Sequence, residues 1–127
     1  GLLTRPMRPD ECAAFVSRAL GAPVKYTDAK KSVVRVAVVS GSGGDFAGEA
    51  AALGADCLVT GEAGHHDALD ALAAGVTLVA ATHFSTEVLI ADALARRIRA
   101  AFPTLRVLRS ETDADPFAYL PAREDSE

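Results

Sequence analysis

A histidine and a glutamate four positions apart, His83 and Glu87, are the pair in this chain best suited to metal chemistry. They fall at the predicted start of a helix, where side chains four positions apart share one face. An imidazole nitrogen and a carboxylate oxygen on one face can bind the same divalent ion. The alternative is a surface histidine beside a glutamate that stabilises the first helical turn. Because the helix dipole disfavours a cation at this end, the ion would need further anionic ligands from elsewhere.

A second polar cluster, from Thr60 to Asp67, also follows a predicted strand. It contains Glu62, His65 and His66, and therefore two of the three histidines in the chain. These groups could bind a metal, orient its ligands or transfer protons, and Glu62 and His65 are the candidates for proton transfer. Adjacent helical residues point about a hundred degrees apart, so we do not expect both histidines to bind one ion. Alternatively, Asp67 is a first-turn carboxylate, and one histidine caps the helix or is buried.

Other motifs give weaker signals. The turn Gly41-Ser42-Gly43-Gly44 could offer backbone amides to a phosphate, but it lacks the Lys-Ser/Thr ending of a P-loop and does not match G-x-G-x-x-G. Acyl transfer has no support, because no serine lies in a G-x-S-x-G elbow and neither cysteine has an obvious base. We interpret Cys12 and Cys57 as small core residues rather than a disulfide.

Strand and helix patterns alternate along the chain. Strands are predicted at 33–39, 57–60, 76–81 and 105–108, and helices at 11–20 with Asp10 as the cap, 45–53, 66–74 and 82–101. The first of these strands is apolar on both faces, which is typical of a strand buried between two helical layers. The alternation predicts an α/β fold with a largely parallel or mixed sheet flanked by helices. In such sheets ligands bind at the carboxyl ends of strands, where residues 40–45, 60–67 and 82–87 fall.

The composition narrows the class of protein. The 127 residues fit a single α/β domain, residues 1–127, with a polar tail at 109–127 that contains an apolar island at 116–120. A net charge of −4 and few aromatic residues argue against a nucleic-acid partner. Apolar runs stay well below the roughly eighteen residues of a membrane span, and the first residues do not resemble a secretory signal. We therefore expect a cytoplasmic protein without a membrane partner.

Taken in order, these motifs resemble the Nif-three-like family, whose members are often called GTP cyclohydrolase I type 2 homologs. The residues that carry the resemblance are Val36-Ala37-Val38-Val39-Ser40-Gly41-Ser42-Gly43-Gly44-Asp45, Gly54-Ala55-Asp56, Thr60-Gly61-Glu62, His65-His66-Asp67-Ala68-Leu69, His83-Phe84-Ser85-Thr86-Glu87 and Asp115-Pro116-Phe117. Together they extend over nearly the whole chain.

The resemblance implies a cytoplasmic protein that assembles as a toroidal homohexamer and holds two divalent metal ions between two similar α/β halves. The ions would be zinc, manganese, iron or similar. The family's C-terminal metal-binding motif falls on His83 and Glu87. Its Thr60–Asp67 motif lines the same cleft, so Glu62, His65 and His66 become pocket residues, together with Thr60 and Asp67. The family's other half contributes a His-His pair and an aspartate that have no counterpart here. This chain therefore resembles the C-terminal half only.

Two functional hypotheses follow. In the first, the chain is part of a divalent-metal-binding, hydrolase-like protein. Its ion, held by His83 and Glu87, activates water or polarises a phosphate-bearing or nucleotide-like substrate, while Glu62 or His65 moves protons. In the second, the chain is an oligomeric assembly or regulatory module with a structural or vestigial metal site. Metal-dependent turnover of a nucleotide panel would favour the first hypothesis, and stable assembly without turnover the second.

Overall fold

The structure, a computed structural model, describes residues 1–120. The strands are β1 Leu2–Met7, β2 Lys25–Tyr26, β3 Val33–Ser42, β4 Cys57–Glu62 and β5 Thr77–Ala80. The helices are α1 Pro9–Leu20, α2 Ala47–Ala52, α3 His65–Ala73, α4 His83–Glu87 and α5 Leu89–Ala101. A short 3-10 turn, Gly44–Phe46, precedes α2.

The five strands form one mixed sheet in the order β1-β3-β4-β5-β2. The central strands β3, β4 and β5 run parallel, with Val38 opposite Val59 and Val59 opposite Val79. The outer strands β1 and β2 pair antiparallel with their neighbours. The predicted α/β fold with a largely parallel or mixed sheet is confirmed. Because three parallel strands end on the same side, that side collects the residues that follow them.

Helices cover both faces of the sheet, as predicted. Helix α1 packs on one face, over a cluster that contains Cys12, Val33, Cys57, Val59 and Val79. Helices α2 and α3 pack on the other, over Ala47, Ala50, Ala55, Leu58, Ala71, Val76 and Leu78. Both cysteines are buried and free, in agreement with their interpretation as core residues.

The predicted burial of the first strand on both faces is wrong for part of β3. Val33 is fully buried, whereas Val38 is 69% exposed. Strand β1 pairs only with the beginning of β3, where Met7 lies opposite Val33 and Leu2 opposite Arg35. Within residues 1–120, the later part of β3 therefore lies at the edge of the sheet. The apolar residues correctly predicted a strand, but the later part of that strand is less buried than predicted.

Two helix predictions need correction. The helix predicted over 82–101 is two helices, α4 and α5, separated by a turn at Val88. Helix α1 begins at Pro9, and Asp10 lies in its first turn rather than at the cap position. The cap position is Arg8, whose backbone N–H donates to the Glu11 carboxylate at 2.9 Å. Proline suits the first helical position because the amide it lacks would have no partner there.

The strand predicted at 105–108 is wrong, since these residues form no strand in the structure. The side chain of Arg99 donates to the carbonyl oxygen of Val107 at 3.0 Å. Arg109 and Asp92 form an ion pair at 2.6 Å. These contacts hold the segment along α5.

Helix α5 is amphipathic, but Ala95 is its one buried residue. Ile90, Leu94 and Ile98 recur every four positions, and all three are exposed. We call these three residues the α5 apolar stripe. No helix within residues 1–120 is long and apolar enough to cross a membrane.

Candidate metal site and adjoining cavity

The candidate site lies where β3 and β4 end against the first turn of α4. Gly41 has a φ of +66°, and a Cβ atom built on it would lie 2.5 Å from Oε1 of Glu87. A Cβ atom on Gly61 would lie 2.6 Å from Oγ1 of Thr86. Neither strand end has room for a side chain. The two glycines therefore allow α4 to approach the sheet closely enough to bring Glu87 into the site.

Hydroxyl side chains fix the first turn of α4. Thr82 Oγ1 accepts a hydrogen bond from the Ser85 amide at 3.0 Å, and Ser85 Oγ accepts one from the Thr82 amide at 3.2 Å. This reciprocal capping satisfies amides that a helix start otherwise leaves unpaired. Thr86 Oγ1 accepts a hydrogen bond from the Gly41 amide at 3.1 Å and so ties the turn to β3. His83 and Glu87 are not needed for capping.

His83 lies between two carboxylates. Its Nδ1 is 3.2 Å from Oε2 of Glu62, and its Nε2 is 3.1 Å from Oε2 of Glu87. The hydrogen bond to Glu62 is the largest cause that raises the pKa of His83, and the negative charges of Glu87 and Glu62 add to it. All three side chains are about half exposed. The structure thus brings together the predicted metal ligands and one of the two predicted catalytic residues.

The donor atoms of His83 and Glu87 suit a divalent ion. At 3.1 Å apart, Nε2 and Oε2 can both lie about 2.1 Å from one ion, which is the usual distance for zinc with nitrogen or oxygen ligands. Among residues 1–120, no group of three or more His, Cys, Asp or Glu side chains is arranged to hold a metal. The pair therefore fits part of a coordination sphere. Its remaining ligands would come from outside this part of the chain or from solvent.

Two predicted pocket residues have structural partners. Thr60 is fully buried, accepts a hydrogen bond from the Gly43 amide at 2.9 Å and donates one to the Gly41 carbonyl at 3.2 Å. It braces the turn after β3. Asp67 accepts a hydrogen bond from the Gly64 amide at 2.6 Å. This is the first-turn carboxylate that the sequence offered as the alternative to a functional role.

The two remaining histidines lie apart from His83. His65 and His66 begin α3, both are exposed, and their ring centroids are 5.8 Å apart in an edge-to-face arrangement. His65 lines a smaller cavity of about 260 Å³ beside Tyr26. Neither histidine is among the residues that line the cavity next to His83. The proton-transfer role of His65 stays a prediction.

A cavity of about 1180 Å³ opens beside the three-residue cluster Glu62, His83 and Glu87. Part of its wall comes from the chain after α5, which contributes Asp113, Asp115, Pro116, Phe117 and Tyr119. We call residues 113–119 the tail wall. The predicted polar tail thus returns to the candidate site at residues 113–119. Residues 121–127 of that tail lie outside the described residues.

Comparison with known proteins assigns this architecture to a family. A family model described as Duf34/NIF3 (NGG1p interacting factor 3) matches residues 1–116. The chain belongs to the Duf34/NIF3 family. Proteins named GTP cyclohydrolase 1 type 2 homolog from Staphylococcus epidermidis and Staphylococcus aureus are 36% and 33% identical to it, over 94% and 90% of its length. The matches cover only 34% and 32% of those proteins.

Solved structures agree with the family assignment. A hypothetical protein from Staphylococcus aureus has a TM-score of 0.84 at 31% identity, and the match covers 94% of this chain and 41% of that one. A Bacillus cereus protein related to NIF3 has a TM-score of 0.78 at 26% identity, over 94% of this chain and 35% of that one. The chain spans about a third of the length of the curated relatives that it matches.

Sequence reasoning missed several residues of this Duf34/NIF3 site. Thr86 was part of a motif, but nothing in the sequence indicated that it would bind the Gly41 amide. Lys25 lines the cavity from β2, although its two-residue strand has no recognisable pattern. Tyr119 and Phe117 were visible as an apolar island in a polar tail. That contrast was the available signal that the tail packs against something.

Proposed function

We propose that this Duf34/NIF3 chain contributes His83 and Glu87 to the divalent-metal site of a hydrolase-like protein. The observation that carries the proposal is the 3.1 Å separation of their donor atoms beside a cavity large enough for a small molecule. The name of the relatives, GTP cyclohydrolase 1 type 2 homolog, supports a phosphate-bearing or nucleotide-like substrate. Zinc, manganese and iron are the candidate ions, and the family resemblance implies two in a complete site.

Glu62 has a definite part in this proposal. A Nδ1–H donated to Glu62 leaves the lone pair of His83 Nε2 directed towards Glu87 and the ion position. Glu62 therefore orients a ligand, and its exposed carboxylate is also available to accept a proton from substrate or water. When bound, the divalent ion would supply Lewis acidity and lower the pKa of a bound water.

Metal titration tests the proposal. Calorimetry of the metal-free chain with Zn²⁺ or Mn²⁺ should show weak binding, because stable zinc sites use about three or four protein ligands. His83→Ala should abolish that binding, whereas His66→Ala, at the start of α3, should leave it unchanged. Tight stoichiometric binding that survives His83→Ala would show that the site is elsewhere.

Turnover by this chain alone should be absent. Within residues 1–120 it offers two ligands, and misplacement of reacting groups by about 1 Å can already cost about a hundredfold in rate. We expect no measurable ring-opening of GTP even with added metal. If activity does occur, Glu87→Gln should abolish it, since the change keeps the shape but removes the anionic ligand. Activity that survives this substitution would contradict the assignment.

The α5 apolar stripe favours a second candidate function, an oligomeric assembly or regulatory module in which the metal is structural or vestigial. Exposed apolar side chains in a row mark a surface that another protein surface covers. The partner would be the chain itself, and the family resemblance implies a hexamer. Light scattering should then show particles larger than 13.1 kDa. Leu94→Glu should reduce them to monomers, and Arg96→Glu, on the other side of α5, should not.

The proposed setting is the cytoplasm. Two buried free cysteines suit a reducing compartment, where thiols persist without pairing. Expression of the family protein with a fluorescent tag would test this location directly.

A further inference from the structure

The tail wall has a defined conformation. Asp115 Oδ1 accepts a hydrogen bond from the Phe117 amide at 3.0 Å, and Asp115 Oδ2 accepts one from the Tyr119 hydroxyl at 3.4 Å. Desolvation and the Asp115 carboxylate raise the pKa of Tyr119, which lines the cavity together with Thr82 and Glu62. The end of the tail therefore lies against the start of α4 and the candidate site. Both aromatic rings of the tail reach the cavity because Asp115 turns the chain there.

Phe117 is the unusual residue of this wall. It lines the cavity, yet its side chain is 69% exposed, so much of the ring is not packed against other residues. Pro116 beside it and Phe84 on α4 add apolar surface to the same cavity. An aromatic face open to a cavity of this size can stack on a planar ring of a ligand, because aromatic rings gain energy in offset-stacked pairs. A flexible linear chain would gain less from such a face.

The charges around the cavity restrict which ligands can bind there. Glu62, Glu87, Asp113 and Asp115 line it, and Lys25 is the single lysine or arginine among the lining residues within 1–120. Its ammonium group already donates to the Ala63 carbonyl at 2.7 Å. In the metal-free chain, Lys25 and a protonated His83 do not offset the four carboxylates. A triphosphate would therefore be repelled, whereas an uncharged ring with N–H groups would find acceptors.

We propose that the cavity binds an uncharged planar heterocycle of the nucleoside class, stacked on Phe117, rather than a nucleoside triphosphate. This inference rests on the proposed function and narrows its substrate to the uncharged members of the nucleotide-like class. The heterocycle enters between the tail wall and α4. Its polar edge faces Glu62 and His83, and its sugar points towards solvent. Phe117 determines affinity, and the carboxylates determine the preference for uncharged ligands.

Binding of inosine, inosine triphosphate and ribose to the metal-free 127-residue chain tests the proposal. Calorimetry or NMR titration at low salt should detect inosine binding, weaker binding of the triphosphate and no binding of ribose. Phe117→Ala should weaken inosine binding by roughly five- to a hundredfold, the range expected for loss of one stacked aromatic side chain. Phe117→Trp should retain it. Leu120→Ala, which removes a nearly fully exposed side chain outside the cavity lining, is the matched control.

Three results would overturn the proposal: triphosphate binding as tight as inosine binding, no effect of Phe117→Ala, or no inosine binding at millimolar concentrations. Raising the salt concentration provides a second measurement. It should reduce the preference for inosine over the triphosphate, because screening weakens the repulsion. Since inosine binding is measured without metal, its failure is separate from a failure of the metal titration, which would overturn the proposed function instead.

Discussion

Helices α3 and α4 begin with similar sequences, but the carboxylate near the start of α3 caps the helix, whereas the one in α4 does not. Each follows a parallel strand, each starts with a histidine, and each carries a carboxylate within its first turns. In α4, Thr82 and Ser85 cap the helix, and Glu87, which lies beyond the capping positions, meets His83. In α3, the residue before the helix is Gly64, which has no side chain, and the carboxylate of Asp67 binds its amide instead.

This difference shows that the role of a carboxylate near a helix start depends on its position in the first turns. A carboxylate that caps a helix already has a hydrogen-bond partner and is poorly placed to bind an ion. In α4 that capping position is held by the hydroxyl of Ser85, and the carboxylate of Glu87 lies two residues further along. Packing adds a second difference, because α4 lies against the glycine ends of β3 and β4, where Glu62 meets His83. No equivalent carboxylate within residues 1–120 meets His65 or His66 in an ion pair.

The largest expected effect comes from filling the space at Gly41. Gly41→Ala places a side chain at a positive φ, which costs about 1–3 kcal/mol of unfolding free energy, and displaces Glu87. Both stability, measured by denaturant unfolding, and metal affinity should fall. Gly64→Ala is the control at the start of α3, where φ is −82° and a Cβ atom has room. Equal losses in the two variants would contradict the comparison.

Removal of the Thr86 hydroxyl should have the next largest effect. Thr86→Val keeps the shape but leaves the part-buried Gly41 amide without its acceptor, which should cost about 1 kcal/mol or more. Metal affinity should fall as well, because the turn that carries His83 and Glu87 loses its tie to β3. Thr86→Ser should restore both. A Thr86→Val protein with unchanged metal affinity would show that the tie does not position the ligands.

Asp67→Ala should separate the two helix starts. Loss of its hydrogen bond to the Gly64 amide should cost about 0.5–1 kcal/mol of unfolding free energy. Metal affinity should not change, because Asp67 caps α3 and does not contact His83. Chemical denaturation and calorimetry on the same preparation measure both quantities. A lost metal signal would mean that the carboxylate has a role at the site beyond capping.

The smallest effect concerns the protonation of His83. Glu62→Gln should lower its raised pKa towards the ordinary histidine value, as observed by NMR titration of the imidazole. A raised pKa in the folded state means that protonated His83 adds stability below the pKa of unfolded histidine. That contribution disappears as the pH rises through the folded pKa. Because the His83 side chain is about half exposed, solvent screening keeps this contribution to stability small. A His83 pKa unaffected by Glu62→Gln would assign the shift to Glu87.

Much of this architecture follows from the sequence alone. Apolar β-branched runs separated by helical patterns predicted the α/β class and the three parallel strands, because these periods reflect local backbone geometry. The spacing of His83 and Glu87 placed both side chains on one helical face for the same reason. Strands β1 and β2 were not predicted. Short edge strands such as the one containing Pro6 need few apolar residues and give a weak pattern.

Tertiary structure alone decided which polar residues meet. Glu62 and His83 are far apart in sequence, and their contact depends on β4 ending where α4 begins. The tail illustrates the same limit: its apolar island was visible in the sequence, but only the structure places Phe117 and Tyr119 in the wall of the cavity. Local sequence determines periodicity and helix faces because both arise within a few residues. Contacts between distant segments depend on the packing of the whole sheet.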